Sequence, residues 1–195
     1  MRAVVPYGKG NAMDVVGKIA ASDKTYTNRL FGIRLALPEG FSFYDEGQMA
    51  ELNGSVSELQ SDEDVIQALN SGQAFFDMAA NTASGTIVTV VIAHASTPDV
   101  QALDATGYLQ YAKASLEAQL AAVGSELKDA QVGTSANDKT GDAFASMKVR
   151  FETQGTPMYE ELVCLKAGDY FMTISATAQD RAELDEIFGN LSLVK

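Results

Sequence analysis

The stretch "YTNRLFGIRLALPEGFSFY", residues 26–44, carries a clear strand pattern followed by a clear stop. Apolar side chains occupy every second position from Phe31 to Leu37, and Pro38 follows directly. Such alternation is typical of a strand with one buried face, and proline cannot donate the next backbone hydrogen bond of a sheet. We therefore predict a half-buried strand over residues 31–37 that ends at Pro-Glu-Gly.

Further strand patterns lie downstream of this segment. Residues 73–81 and 85–94 are rich in aromatic and β-branched side chains and are joined by a polar loop, which predicts a β-hairpin. The second run is apolar on both faces, with Val88, Val90 and Ile92 on one face and Ile87 and Val91 on the other. A strand of this kind lies inside a sheet that is covered on both sides. Residues 126–178 contain four more strand patterns separated by turn sequences, which favours an antiparallel meander.

Helical spacing of apolar residues is strongest over residues 104–123. Asp104 can cap this helix, and its apolar stripe predicts that it faces the core. The stripe contains Ala105, Tyr108, Leu109, Ala112, Leu116, Leu120 and Val123. Shorter helices are predicted over residues 12–21, 45–54, 61–72 and 179–190. The last of them begins with Asp180 and Glu183 at the spacing of a capping box.

The order of these elements predicts the fold class. Hairpins lie before and after one long helix, and one strand is apolar on both faces. This order favours an α+β fold with a mainly antiparallel β-sheet that is covered by helices on both faces, which is an α/β/α sandwich. A single core can serve a chain of 195 residues. We expect an N-terminal extension with a short helix over residues 1–25 and a single sandwich domain over residues 26–195.

The charge balance restricts the possible partners. The chain has 14 basic and 26 acidic side chains, a formal net charge of −12, and no basic cluster with interleaved aromatic residues. Because such a surface repels phosphate groups, we expect no nucleic-acid partner and no anionic membrane surface. No stretch approaches the ~18 apolar residues of a transmembrane helix, so we expect no membrane insertion of this chain. A protein or a small molecule is the expected partner, and the oligomeric state stays open.

Residues that usually carry catalysis are scarce. The chain has one histidine, His94, and one cysteine, Cys164, and it lacks phosphate-loop, dinucleotide-binding and serine-nucleophile motifs. Catalytic triads and most zinc sites need histidine together with other ligands, so we predict no catalytic residue, no metal site and no cofactor. We interpret Cys164 as a small core residue, Asp62 and Asp64 as favourable charges at a helix start, and Asp138 and Asp142 as parts of a polar turn.

One short segment remains a candidate binding edge. Phe43, Tyr44, Asp45 and Glu46 place aromatic side chains directly before an acidic helix start. They are our candidate ligand-binding residues. The alternative is that the aromatic side chains pack under the adjacent helix.

With these patterns in view, "YTNRLFGIRLALPEGFSF" resembles the opening of the PsbP-like superfamily, in which a polar turn, an aromatic-Gly-aliphatic strand and a Leu-Pro-x-Gly-aromatic exit follow one another. The resemblance covers residues 26–189 and implies the α/β/α sandwich that the Ran-binding import factor and bacterial lipoproteins share. "SGQAFFDMAAN" and "KAGDYFMTISATA" are similar to uncharacterised exported proteins of gut-dwelling Gram-positive bacteria. Metal sites of PsbP-type proteins use histidine, and His94 alone supports no such site here.

The resemblance and the missing catalytic groups together lead to a functional expectation. We expect a non-catalytic binding or accessory domain of the bacterial cell envelope, located outside the cytoplasm or at the cell surface, with a signal or anchor outside this chain. A cytoplasmic location stays open. One alternative is a hydrolase-like enzyme of unrecognised type that uses carboxylates in a cleft, which would show two or more carboxyl groups with shifted pKa values. Another alternative is a structural oligomerisation domain.

Overall fold

A computed structural model describes residues 15–54, 65 and 68–194. Its strands form two antiparallel sheets. The smaller sheet has the order β1 (Lys18–Ala20), β2 (Thr25–Asn28), β3 (Ile33–Ala36) and β11 (Leu191–Leu193). The larger sheet has the order β4 (Ser42–Phe43), β5 (Ala74–Asn81), β6 (Ile87–His94), β10 (Tyr170–Ala178), β9 (Thr156–Ala167), β8 (Ala143–Thr153) and β7 (Ser125–Ala136). The helices include α1 (Glu46–Asn53), α2 (Pro98–Gln101), α3 (Ala105–Ala122) and α4 (Arg181–Phe188), and residues 21–23 form a 3-10 turn.

The larger sheet has an apolar core on each face. On one face, α3 buries Leu109, Leu116 and Leu120 against β8, β9 and β10. On the other face, the smaller sheet and α4 pack against β6 and β10, with Ile33 and Ile187 fully buried. The predicted α+β sandwich with an antiparallel sheet between two layers is therefore confirmed. The smaller sheet shares one layer with α4 and was not predicted.

The strand predicted over residues 31–37 is confirmed in its alternation. Phe31, Ile33, Leu35 and Leu37 are buried, whereas Arg34 between them is exposed. The prediction that β6 is an interior strand is also confirmed, because β5 and β10 flank it in the larger sheet. Strands β7 to β10 form the predicted antiparallel meander.

The long helix is confirmed together with its N-cap. The Asp104 carboxylate accepts a hydrogen bond from the Gly107 backbone N–H at 2.7 Å. The inclusion of Val123 in the apolar stripe is wrong, because its side chain is 72% exposed. The helix ends at Ala122, and Val123 has the backbone conformation of a C-cap, so its side chain leaves the helical stripe.

The prediction of a short helix over residues 12–21 is wrong for residues 15–21. Residues 12–14 lie outside the described part of the chain. Residues 18–20 form β1, which pairs with β2 across the predicted boundary at residue 25. A β-carbon on Gly17 would stand 2.3 Å from the Tyr26 ring, so this close approach needs glycine. Tertiary pairing overrides the weak helical pattern here. The division of the chain into an extension and a domain stays a prediction.

The remaining helices follow the predictions in part. At the start of α1, the Asp45 carboxylate accepts from the Gln48 N–H and the Gln48 side chain bonds back, which makes a capping box. The capping box predicted for α4 is wrong. Asp180 accepts from the Ala182 N–H, while Glu183 instead accepts a hydrogen bond from the Thr86 hydroxyl and so ties α4 to the loop before β6.

Part of the helix predicted over residues 61–72 lies outside the described residues. Within the described part, Val65 and residues 68–70 are helical. Gly72 has a φ of 89°, a conformation that ends the helix and favours glycine. In the described part of the chain, no helix combines the length and the apolar character needed to cross a bilayer.

Candidate functional site

A groove of about 580 Å³ lies between α4 and the adjacent face of β7, β8 and β9. We call it the helix–sheet groove. Its apolar walls are Phe144, Val163, Phe188 and Leu191, and its polar lining includes Ser135, Asp138, Lys139, Lys148, Glu161, Asp185 and Glu186. Its volume lies in the range of ligand-binding pockets, and its lining is more polar than is usual for them.

A buried carboxylate lies at the centre of the groove. Glu161 is only 3% exposed, and its Oε2 lies 3.6 Å from the Lys148 Nζ. The Ser135 hydroxyl donates a hydrogen bond to Oε1 of the same carboxylate and lies 3.0 Å from the Ser146 hydroxyl. A buried charge is tolerated only when it is paired and hydrogen-bonded, which this cluster achieves. Strand register creates the ion pair, because Lys148 and Glu161 are direct partners of β8 and β9.

The rim of the groove is mainly acidic. Asp185 and Glu186 are exposed on α4, and Asp138 is exposed on the loop after β7. Lys139 also lies at this rim, but its Nζ donates to the Asn190 side chain at 2.8 Å. A cation that approaches the groove therefore meets three carboxylates and the Lys139 ammonium group at the rim, so acidic groups outnumber basic ones there.

The loop between β7 and β8 is fixed against the smaller sheet. Asn137 donates to the Leu191 carbonyl at 2.5 Å, and the Asp142 carboxylate accepts from the Leu193 N–H at 3.0 Å and from the Thr140 hydroxyl at 2.7 Å. The interpretation of Asp138 and Asp142 as parts of a polar turn is confirmed, because residues 137–142 form this turn, which the hydrogen bond from the Asn137 N–H to the Asp142 carbonyl closes. The loop is thus a preformed wall of the groove.

Two smaller grooves adjoin the first. One, of about 150 Å³, shares Lys148 and Glu161 with the helix–sheet groove and extends toward Arg150 and Arg181. The other, of about 340 Å³, lies on the opposite side of α4, between the loop at residues 38–41 and the loop at 82–84. Helix α4 therefore contributes to all three.

The candidate residues from the sequence lie elsewhere. Phe43 packs partly against the core, Tyr44 bonds through its backbone N–H to the Ala79 carbonyl, and Asp45 caps α1. Glu46 is exposed in the first turn of that helix. None of the four lines the three grooves described above. A binding role for them stays a prediction, and Asp62 and Asp64 lie outside the described residues.

The enzyme alternative calls for two or more carboxyl groups with shifted pKa values in one cleft. Among the described carboxylates, burial raises the pKa of Glu160, opposed by a hydrogen bond from Ser175. Successive side chains of a strand point to opposite faces, so Glu160 lies on the side of the sheet that α3 covers, away from Glu161.

Cys164 is a core residue, as interpreted from the sequence, and His94 lies at the end of a strand. Cys164 is buried in the core under α3, and burial raises the pKa of its thiol to about 12. The His94 ring lies 5.1 Å from the Tyr170 ring at the end of β6. Over residues 15–54, 65 and 68–194, no three metal-ligating side chains come together.

The residues of the groove were only partly visible in the sequence. The alternation in β8 places Ser146 and Lys148 on the face opposite Met147. Glu161 was missed because it directly follows Glu160, so that the sequence alone does not show which of the two carboxyl groups faces the groove. Its position opposite Lys148 follows only from the pairing of β8 with β9.

The two sheets and the helices that cover them form an α+β sandwich. No protein-family model and no curated protein matches the sequence. Among solved structures, the chain is similar to the solution structure of cyanobacterial PsbP (CyanoP) from Synechocystis sp. PCC 6803. The match covers 97% of both chains with a TM-score of 0.50 and 11% identity. This likeness shows the fold.

Proposed function

We propose that this chain is a non-catalytic binding domain and that the helix–sheet groove holds its partner. The observation that carries the proposal is the groove itself, with a buried and fully partnered Glu161 beneath the exposed Asp185 and Glu186. Because the carboxylate is satisfied within the protein, its role is to shape the groove and to fix Lys148.

The lining defines the chemistry of the partner. Phe144 and Phe188 are 6% and 7% exposed and offer a small apolar surface, and the rim offers Asp138, Asp185 and Glu186. A group with a cation beside an apolar body matches both features, because apolar contact supplies burial and the carboxylates supply orientation and steering. Lysine or arginine side chains flanked by apolar residues have this chemistry.

We place this domain in the envelope of a Gram-positive bacterium, outside the cytoplasm. Support comes from the resemblance of "SGQAFFDMAAN" and "KAGDYFMTISATA" to exported proteins of such bacteria and from the acidic, PsbP-like chain. Fractionation of cells that express the full-length protein, followed by protease treatment of intact cells, tests the location. A signal confined to the cytoplasmic fraction would contradict it.

A thermal-shift screen tests the binding function. The probes are capped tripeptides Leu-Lys-Leu and Leu-Arg-Leu, with Leu-Glu-Leu as the charge control. We expect the cationic peptides to raise the unfolding midpoint of the parent protein. The Glu117→Gln variant is the control, because it removes an exposed charge from α3 on the opposite face of the larger sheet, and it should show the same rise. The double variant Asp185→Asn, Glu186→Gln should lose the shift. A shift that is equal for all three peptides, or turnover of a substrate as the sole effect, would refute the proposal.

A further inference from the structure

The groove of about 150 Å³ adjoins the helix–sheet groove at the Lys148–Glu161 ion pair, which lines both. We call it the arginine groove, because Arg150 on β8 and Arg181 at the start of α4 line it. Asp185 lies one turn further along α4, on the rim of the helix–sheet groove. The charges along the two grooves are therefore ordered, with exposed carboxylates on one side of the ion pair and guanidinium groups on the other.

Three side chains of the arginine groove carry hydrogen-bond donors that the protein does not use. Arg150 and Arg181 are exposed, and Tyr159 is half-buried. Among the described residues, the two guanidinium groups form no ion pair, and the Tyr159 hydroxyl forms no hydrogen bond. A guanidinium group can donate two parallel hydrogen bonds to one carboxylate, and a phenol hydroxyl can donate one more. The arginine groove thus offers several donors to a carboxylate within a small space.

The acidic side chains around the arginine groove leave a positive balance. The central ion pair is neutral, and the Glu160 carboxyl group accepts its hydrogen bond on the side of the sheet that α3 covers. Asp129 stands opposite Arg150 in the register of β7 and β8, but its carboxylate accepts from Gln131 at 2.9 Å and forms no ion pair with a described residue. Two guanidinium groups then face one carboxylate, so the groove favours a ligand group with a single negative charge.

We propose that the arginine groove binds a carboxylate, and that the partner of the helix–sheet groove carries a cation followed closely by that carboxylate. This inference rests on the binding function proposed above and specifies its ligand. Arg181 and Asp185 are four residues apart on α4, which is about 6 Å along the helix axis. Two extended peptide residues cover about 7 Å. A lysine or arginine whose next residue bears a carboxylate therefore matches the spacing of the two grooves.

A calorimetric titration of the full chain compares two forms of one peptide. Acetyl-Leu-Lys-Leu with a free C-terminal carboxylate is the acid peptide, and the same sequence with a C-terminal amide is the amide peptide. The protein has a net charge of −12 and repels the added carboxylate, so tighter binding of the acid peptide requires a local site. We expect the parent chain to bind the acid peptide about tenfold more tightly than the amide peptide.

Two variants and a third peptide locate the effect. The double variant Arg150→Gln, Arg181→Gln should bind the acid peptide only as tightly as the parent binds the amide peptide. Arg29→Gln is the matched control, because Arg29 is exposed and lines none of the three grooves, and it should keep the tenfold preference. Acetyl-Leu-Lys-Glu amide carries the carboxylate on a side chain. Tighter binding of this peptide, of the acid peptide or of both, relative to the amide peptide, supports the proposal and identifies the source of the carboxylate.

The outcomes separate this inference from the binding function. If all three peptides bind the parent with equal dissociation constants, or if the preference persists in the double variant, the carboxylate site is overturned while binding in the helix–sheet groove stands. If no peptide binds the parent, both proposals fail. Circular dichroism of each variant verifies that it is folded.

Discussion

The substitution Tyr26→Phe tests how the two sheets are joined. Tyr26, on β2, is fully buried, and its hydroxyl donates a hydrogen bond of 2.5 Å to Oδ2 of Asp77 on β5. The same oxygen accepts from the Gly17 N–H at 2.8 Å and from the Asn28 side chain at 3.4 Å. Burial, reinforced by the Asp77 charge, raises the pKa of Tyr26 far above its usual value, so its hydroxyl stays a donor.

The magnitude follows from the chemistry of this contact. Phenylalanine keeps the ring and its packing, so no cavity forms and the change is confined to the hydroxyl. A hydrogen bond to a charged group contributes about 1.5–3 kcal/mol, because the buried carboxylate otherwise loses part of its solvation without replacement. We therefore expect Tyr26→Phe to lower the free energy of unfolding by about 1.5–3 kcal/mol.

Urea denaturation followed by far-UV circular dichroism measures this difference. Tyr111→Phe is the matched control, because the Tyr111 side chain is 64% exposed on α3. It should stay within about 0.5 kcal/mol of the parent. If Tyr26→Phe also stays within about 0.5 kcal/mol of the parent, or if both variants lose the same free energy, the hydrogen bond does not join the sheets as described.

Three further predictions concern the two cores. Ile187→Ala should lower the free energy of unfolding by about 2–5 kcal/mol in urea, whereas Ile19→Ala, at an exposed position, should cost far less. Burial raises the pKa of Glu160 above the ordinary 4.5, so the parent protein should lose stability as the pH rises above that value. Glu160→Gln removes the ionisable group. This variant should therefore have a higher urea midpoint than the parent at pH 7 and the same midpoint at pH 4. A midpoint gain that is equal at both pH values would contradict this. The Cys164 thiol, with its pKa near 12, should react with a disulfide reagent slowly in the folded protein and rapidly in urea.

Local patterns in the sequence were sufficient for the larger elements. β3, β6 and α3 each bury one face or both, and the period of their apolar residues shows this directly. The smaller sheet could not be predicted in the same way. β1 and β11 have only three residues each, and β11 pairs with β3 over a separation of 158 residues between Ser192 and Arg34.

The helix–sheet groove, too, could be predicted from local sequence patterns only in part. Its polar face on β8 follows from alternation, since Ser146 and Lys148 stand between apolar residues. The ion pair with Glu161 requires the register of β8 against β9, and the rim requires the docking of α4 over that face. Neither the ion pair nor the rim follows from a periodic pattern in the sequence. The prediction of ligand-binding residues therefore fell on Phe43 to Glu46, where aromatic and acidic residues are adjacent in the chain.

A titration of the 15N-labelled protein with the capped Leu-Lys-Leu peptide, followed by backbone amide chemical shifts, shows whether a cationic partner binds in the helix–sheet groove. We predict that the shifts cluster at residues 134–139, 185, 186, 188 and 189, which line the groove from β7, the loop after it, and α4 with its C-cap. Saturable shifts centred on residues 43–46, or shifts that Leu-Glu-Leu reproduces, would contradict it.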